Sequence, residues 1–246
     1  MAPSGFLLEK DVLDILGQGR VFCQEEVMSV WDKIIKERGA GGGINLADAK
    51  KYDTVYTEND VKPLAERRSQ QDLWLFFFDP GFSLRQMLNI LGRNRQLEPY
   101  YAIGNNWLFF PSDGIYAWAE ETAVPSYYLV NMAGLFSEEK NWFEQSKRIK
   151  EMGRGFRRVS TRLAIVIQVS YFLLQGNYFW DNFWHWGPET EELDKSRFAC
   201  ISRVDEGGVE FRNYVCLRDK QERKIPKEAE TEELGVFVYL EGGKRC

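Results

Sequence analysis

Two stretches of the chain carry residue types that could do chemistry. From Lys147 to Arg162, seven basic side chains (Lys147, Arg148, Lys150, Arg154, Arg157, Arg158 and Arg162) meet a single acid, Glu151. Guanidinium groups bind phosphate and carboxylate through paired N–H donors, so such a run suits an anion. Arg154 and Arg157 flank Gly155, where the backbone N–H groups of a turn would add to the cradle. The stretch carries about +6 in a chain of net charge −5, which leaves about −11 on the rest. A chain polarised in this way steers charged partners to one side. The plainer reading is that these residues close a helix and pair with the surplus acids elsewhere. A dedicated nucleic-acid binder would be basic overall, and this chain is acidic.

The second stretch is Tyr178-Phe-Trp-Asp-Asn-Phe-Trp-His-Trp186, followed by Gly187-Pro188. Exposed, Trp180, Trp184 and Trp186 would make an apolar patch of the kind that anchors a protein partner. Buried, the same rings fill a core, with Asp181 and Asn182 forming a turn. His185, the single histidine, offers a general base that Asp181 or Glu189 would orient. A structural histidine packed among the tryptophans is the simpler expectation.

Other chemistries lack their signatures. There is no Gly-x-Ser-x-Gly elbow for a serine nucleophile and no phosphate-binding loop ending in Lys-Ser or Lys-Thr. The glycines Gly39 and Gly41 to Gly43 follow a helical pattern rather than a strand, so they make no dinucleotide fingerprint. Cys23, Cys200, Cys216 and Cys246 show no close pairing, and His185 lies fifteen residues from the nearest of them, so no zinc set is expected. No cofactor is implied. Cys200 and Cys216 are read as buried thiols rather than a bridge across a hairpin. The longest apolar run, Leu163 to Leu174, is too short to span a bilayer. With no basic-then-apolar leader at Met1-Ala-Pro-Ser, a cytoplasmic or otherwise intracellular protein is expected, without membrane insertion.

The elements that must position these stretches follow from periodicity. Apolar residues at helical spacing predict helices over 6–16, 24–38 and 84–91, with Gly17, Gly39 and Gly92 just past their ends and Ser83 as a cap. A polar helix over 59–69 is weakened by Pro63. Leu73-Trp-Leu-Phe-Phe-Phe78 reads as a buried strand stopped by Asp79-Pro80-Gly81. Runs at 100–103, 107–110 and 115–118 are expected to form a meander of short strands. Ser137 begins a helix that Gly153 ends. The run 163–174 is apolar nearly throughout and fits either a central strand or a core helix. Strands follow over 197–204, 209–217 and 234–240, with Asp205-Glu-Gly-Gly208 as a hairpin turn. Residues 218–233 hold eleven charges and are read as solvated.

The pattern implies an α+β fold: N-terminal helices followed by a mostly antiparallel sheet with helices packed on it. Gly39 to Gly43 is the one flexible joint, so residues 1–38 form a helical segment either separate from a main domain over 44–246 or part of it. The expected function is macromolecular interaction within an assembly. The partner would be mainly protein, or a second copy of the chain, bound through the aromatic cluster (Trp180, Trp184, His185, Trp186) and the arginines (Arg154, Arg157, Arg158, Arg162). The alternative is an enzyme or a nucleotide- or nucleic-acid-handling domain acting on a phosphate-bearing substrate. Convergence of the arginines and His185 in one concave pocket would favour that alternative.

Overall fold

A computed structural model describes residues 7–39, 54–66, 73–92, 94, 96, 98–99, 117–135, 142–153, 155–177, 183–190, 197–205, 208–215 and 233–244. The helices are α1 (Glu9–Leu16), α2 (Gln24–Arg38), α3 (Glu58–Ala65), α4 (Leu84–Leu91), α5 (Ala117–Glu120), α6 (Trp142–Glu151) and α7 (Thr161–Gln175). The strands are β1 (Val21–Phe22), β2 (Thr54–Val55), β3 (Trp74–Asp79), β4 (Ser126–Leu135), β5 (Phe156–Arg158), β6 (Phe183–Thr190), β7 (Arg197–Asp205), β8 (Gly208–Val215), β9 (Glu233–Leu240) and β10 (Gly243–Lys244).

Four of the helix starts share one device. At Leu8, Cys23, Thr57 and Ser83 the residue three places on, Asp11, Glu26, Asp60 or Gln86, reaches back to accept the backbone N–H, which would otherwise be an orphan. Gly39 ends α2 in the left-handed conformation its sequence position calls for. Gly81 is needed for a different reason. At φ 80° it lies against the neighbouring chain so closely that a Cβ would meet the Ala123 carbonyl oxygen at 2.2 Å.

An eight-stranded sheet runs in the order β1-β3-β4-β9-β6-β7-β8, with β5 also on β9; a separate pair joins β10 to β2. Among the described residues only β1–β3 and β6–β9 are parallel, so the sheet is mostly antiparallel and the class is α+β. β9 is the central member. Its first half pairs with β6, from Phe183 opposite Glu233 to His185 opposite Gly235, and its second half pairs with β5 and with β4. β3 is buried from end to end: α2 and α7 lie on one face, and Tyr56 and Phe156 pack on the other. On one face Phe22 packs on Phe77 and on Tyr171 of α7, and the Trp31 indole of α2 donates to Ser170 Oγ at 2.8 Å. On the other face Tyr56 stands edge-on to Phe76, and Trp74 packs against Phe156.

The ambiguous run 163–174 is a core helix. Ser160 caps it by accepting the Leu163 N–H at 3.1 Å, and Gly176 closes it. Every residue from Thr161 to Ser170 is buried, so the stripe that normally marks a helix is absent. The strand expected over 115–118 is corrected. Ala117–Glu120 is a helical turn, which packs Ala119 into the core and brings Glu120 to Arg85 at 3.2 Å. The rest of that meander, and Ser137, lie outside the described residues. The hairpin at 205–208 is as expected, and its register sets Cys200 opposite Arg212.

The chain from Leu7 to Arg38 is woven into this sheet, β1 lying beside β3 and α2 against α7. Most of the proposed joint at 39–43 lies outside the described residues. Among the described residues no helix is long and apolar enough to cross a membrane.

Candidate functional site: the arginines and histidine around β5

β5 joins α6 to α7. Gly153 and Gly155, at φ 121° and 94°, take the chain out of α6, and the Gly155 carbonyl accepts the Glu241 N–H at 2.8 Å. The glycine read as part of an anion cradle therefore opens the β5–β9 ladder. Alternation along the strand then divides the arginines. Arg157 faces solvent, and its Nη2 pairs with Glu241 Oε2 at 3.1 Å. Arg158 turns inward.

Arg158 lies over the Trp142 ring at 4.7 Å. Its Nη1 donates to Gln145 Oε1 at 3.1 Å, and its Nη2 donates to the Trp142 carbonyl and to Ser146 Oγ, each at 3.0 Å. Gln145 is fully buried, so its acceptor is held for this purpose. The Trp142 indole in turn donates to the Gly187 carbonyl at 2.9 Å. Strand β5, helix α6 and strand β6 are thus tied through one guanidinium and one indole.

His185 completes the same junction. Its Nε2 lies 2.9 Å from the Val159 carbonyl, which has no proton to give, so Nε2 carries the hydrogen and donates. The ring is 1% exposed. Burial first, and then the charge of Arg158, push its pKa down to about 3, against the pull of the Val159 carbonyl in the other direction. The imidazole is neutral at physiological pH and closed to a substrate. This matches the structural reading of the residue rather than the general base.

Arg162, at the start of α7, goes elsewhere. It makes a two-pronged pair with Asp79, Nη1 to Oδ1 at 3.0 Å and Nη2 to Oδ2 at 2.5 Å, and Nη1 also donates to the Phe82 carbonyl at 3.1 Å. Asp79 is fully buried, and its Oδ1 also accepts the Gly81 N–H at 2.9 Å. The phenol of Tyr128 lies beside the pair. Burial, followed by the Asp79 charge, pushes it up to about 12.

No protein-family model, curated protein or solved structure matches this chain. The site must therefore be read from its geometry alone. Arg158 and His185 converge, Arg162 is separated from them in a buried ion pair, and Arg157 is at the surface. Arg154 and Trp180 lie outside the described residues. The backbone sets Trp184 opposite Leu234 and Trp186 opposite Cys200, within a strand flanked on both sides. Among the described residues no three His, Cys, Asp or Glu side chains gather as metal ligands would. The half-buried Cys23 thiol is pushed up by burial, so it is a poor nucleophile.

Among the described residues of the basic run, those at the surface are Lys147, Arg148 and Lys150 of α6, together with Arg157. Lys147 and Arg148 share Glu151 at 3.9 and 3.8 Å, and Lys150 has no ion pair among the described residues. Sequence reasoning missed Asp79, Trp142 and Gln145. Asp79 had a usable signal, as the one acid ending an apolar run, but its position before Pro80-Gly81 reads equally well as a turn.

Proposed function

We propose that the protein binds another macromolecule, mainly protein, within an assembly. In this reading Lys147, Arg148, Lys150 and Arg157 offer a basic rim to an acidic partner face. The observation that carries it is the tie from α6 to β6, in which Arg158 holds Trp142 and Trp142 holds Gly187. The helix bearing the exposed basic residues is thereby fixed to the strand that bears the aromatic cluster. The charged rim then governs encounter rate and orientation. The alternative, chemistry on a phosphate-bearing substrate, loses support because Arg158, Arg162 and His185 already serve internal partners.

The test is a charge-reversed variant, K147E/R148E/K150E/R157E, compared with the wild type by co-purification from lysate and by light scattering in low and high salt. The expected result is a protein partner, or a second copy of the chain, that is lost from the folded variant and weakened by salt. Undiminished association of the folded variant would remove the proposal. Retention of nucleic acid by the wild type alone would move the reading to the phosphate alternative.

A further inference from the structure

Among the described residues, two hydrogen-bond donors in the core of the sheet meet no acceptor: the Trp74 indole Nε1–H and the Asn131 side-chain Nδ2–H. Both residues are fully buried. They are directly opposite each other on β3 and β4, so their side chains leave the same face of the sheet next to one another. The Asn131 amide cannot turn round to hide its donor, because its Oδ1 already accepts the Ala133 N–H at 2.7 Å. That bond sits where the pairing of β4 with β9 changes register. Beyond Asn131, strand β4 bulges, and Met132, Ala133 and Gly134 stand opposite the single Phe237 of β9. Bulges of this kind locally open a ladder and re-aim side chains.

Leaving a buried donor without an acceptor costs about 1–3 kcal/mol, and native interiors rarely carry one. Two on neighbouring side chains, beside a bulge that begins at one of them, form a matched set that only an acceptor completes. We infer that the bulge in β4 builds an internal site for one hydrogen-bond-acceptor oxygen, held between the Trp74 indole and the Asn131 amide. The oxygen comes from a trapped water molecule or from a small ligand, and both present the same lone pairs to the two donors.

Isotope-labelled wild-type protein tests this by NMR, through water-selective NOEs to the Trp74 indole and Asn131 amide protons. The Trp142 indole is the control, since the Gly187 carbonyl already takes its proton at 2.9 Å. Cross-peaks to water at both Trp74 and Asn131, and none at Trp142, establish a bound water. If both are silent, native mass spectrometry looks for an added mass released on denaturation, which would establish a ligand oxygen. A water contact at only one of the two donors, or neither water nor added mass, overturns the inference.

Discussion

Arg158 and Arg162 are close neighbours in sequence, yet the fold sends them to opposite faces of the sheet and solves their burial in opposite ways. Arg162 meets a carboxylate. Asp79 stands on the face of β3 that α7 covers, and the two make a charged pair with matched geometry. Arg158 stands in the row of Trp74, Asn131 and Val238 on the other face, where the partners described are neutral: an amide, a carbonyl, a hydroxyl and an indole ring. The first arrangement gains strength from charge but suffers if either partner is lost. The second shares the load among several weaker partners, so the loss of any one costs less.

The sharpest way to break the comparison is to remove the acid. Asp79→Ala strands Arg162 in the core and should cost about 3–5 kcal/mol, read from urea unfolding. The paired change Asp79→Leu with Arg162→Met should recover much of that loss, because no uncompensated charge remains. A double variant as unstable as Asp79→Ala would show that the pair is not the source of the cost.

Acid probes the other clamp. His185 has a folded pKa depressed below its ordinary 6.5, to about 3, so only the unfolded chain takes up its proton in that window. Its contribution is complete above pH 6.5 and is lost as pH falls, at about 1.4 kcal/mol per unit. Stability measured from pH 7 to 4.5 should fall with that slope, and His185→Gln should flatten it. An unchanged slope in the variant would assign the acid loss to other groups.

The smallest effect sharpens the contrast. Arg158→Met should cost about 1–3 kcal/mol through lost hydrogen bonds and ring contact. It should also raise the His185 pKa, since the guanidinium charge helps to depress it. An NMR titration of the His185 ring that finds no upward movement would place the depression in burial alone.

Local rules of the chain were readable before the fold. Gly39 as the close of α2, Ser83 as the cap of α4 and the hairpin between β7 and β8 each depend on residues near in sequence. The α+β class followed from them. Neither clamp could be seen in this way. Asp79 and Arg162 are joined only by the fold, and an arginine in a basic run looks the same whether it faces water or a buried carboxylate. The run after Ser160 hid its helical nature because its surroundings are apolar on every side. The one local helical signal at its start is Ser160, which caps the helix by accepting the Leu163 N–H.

The central place of β9 also sets an order of events. Each of its partners in the main sheet, β4, β5 and β6, is made earlier by the ribosome. Among the described residues Glu233–Leu240 is the strand that joins β1-β3-β4 to β6-β7-β8, so without it each part would have a bare inner edge. A nascent chain halted before this strand would therefore be sticky at both edges and a natural client for chaperones.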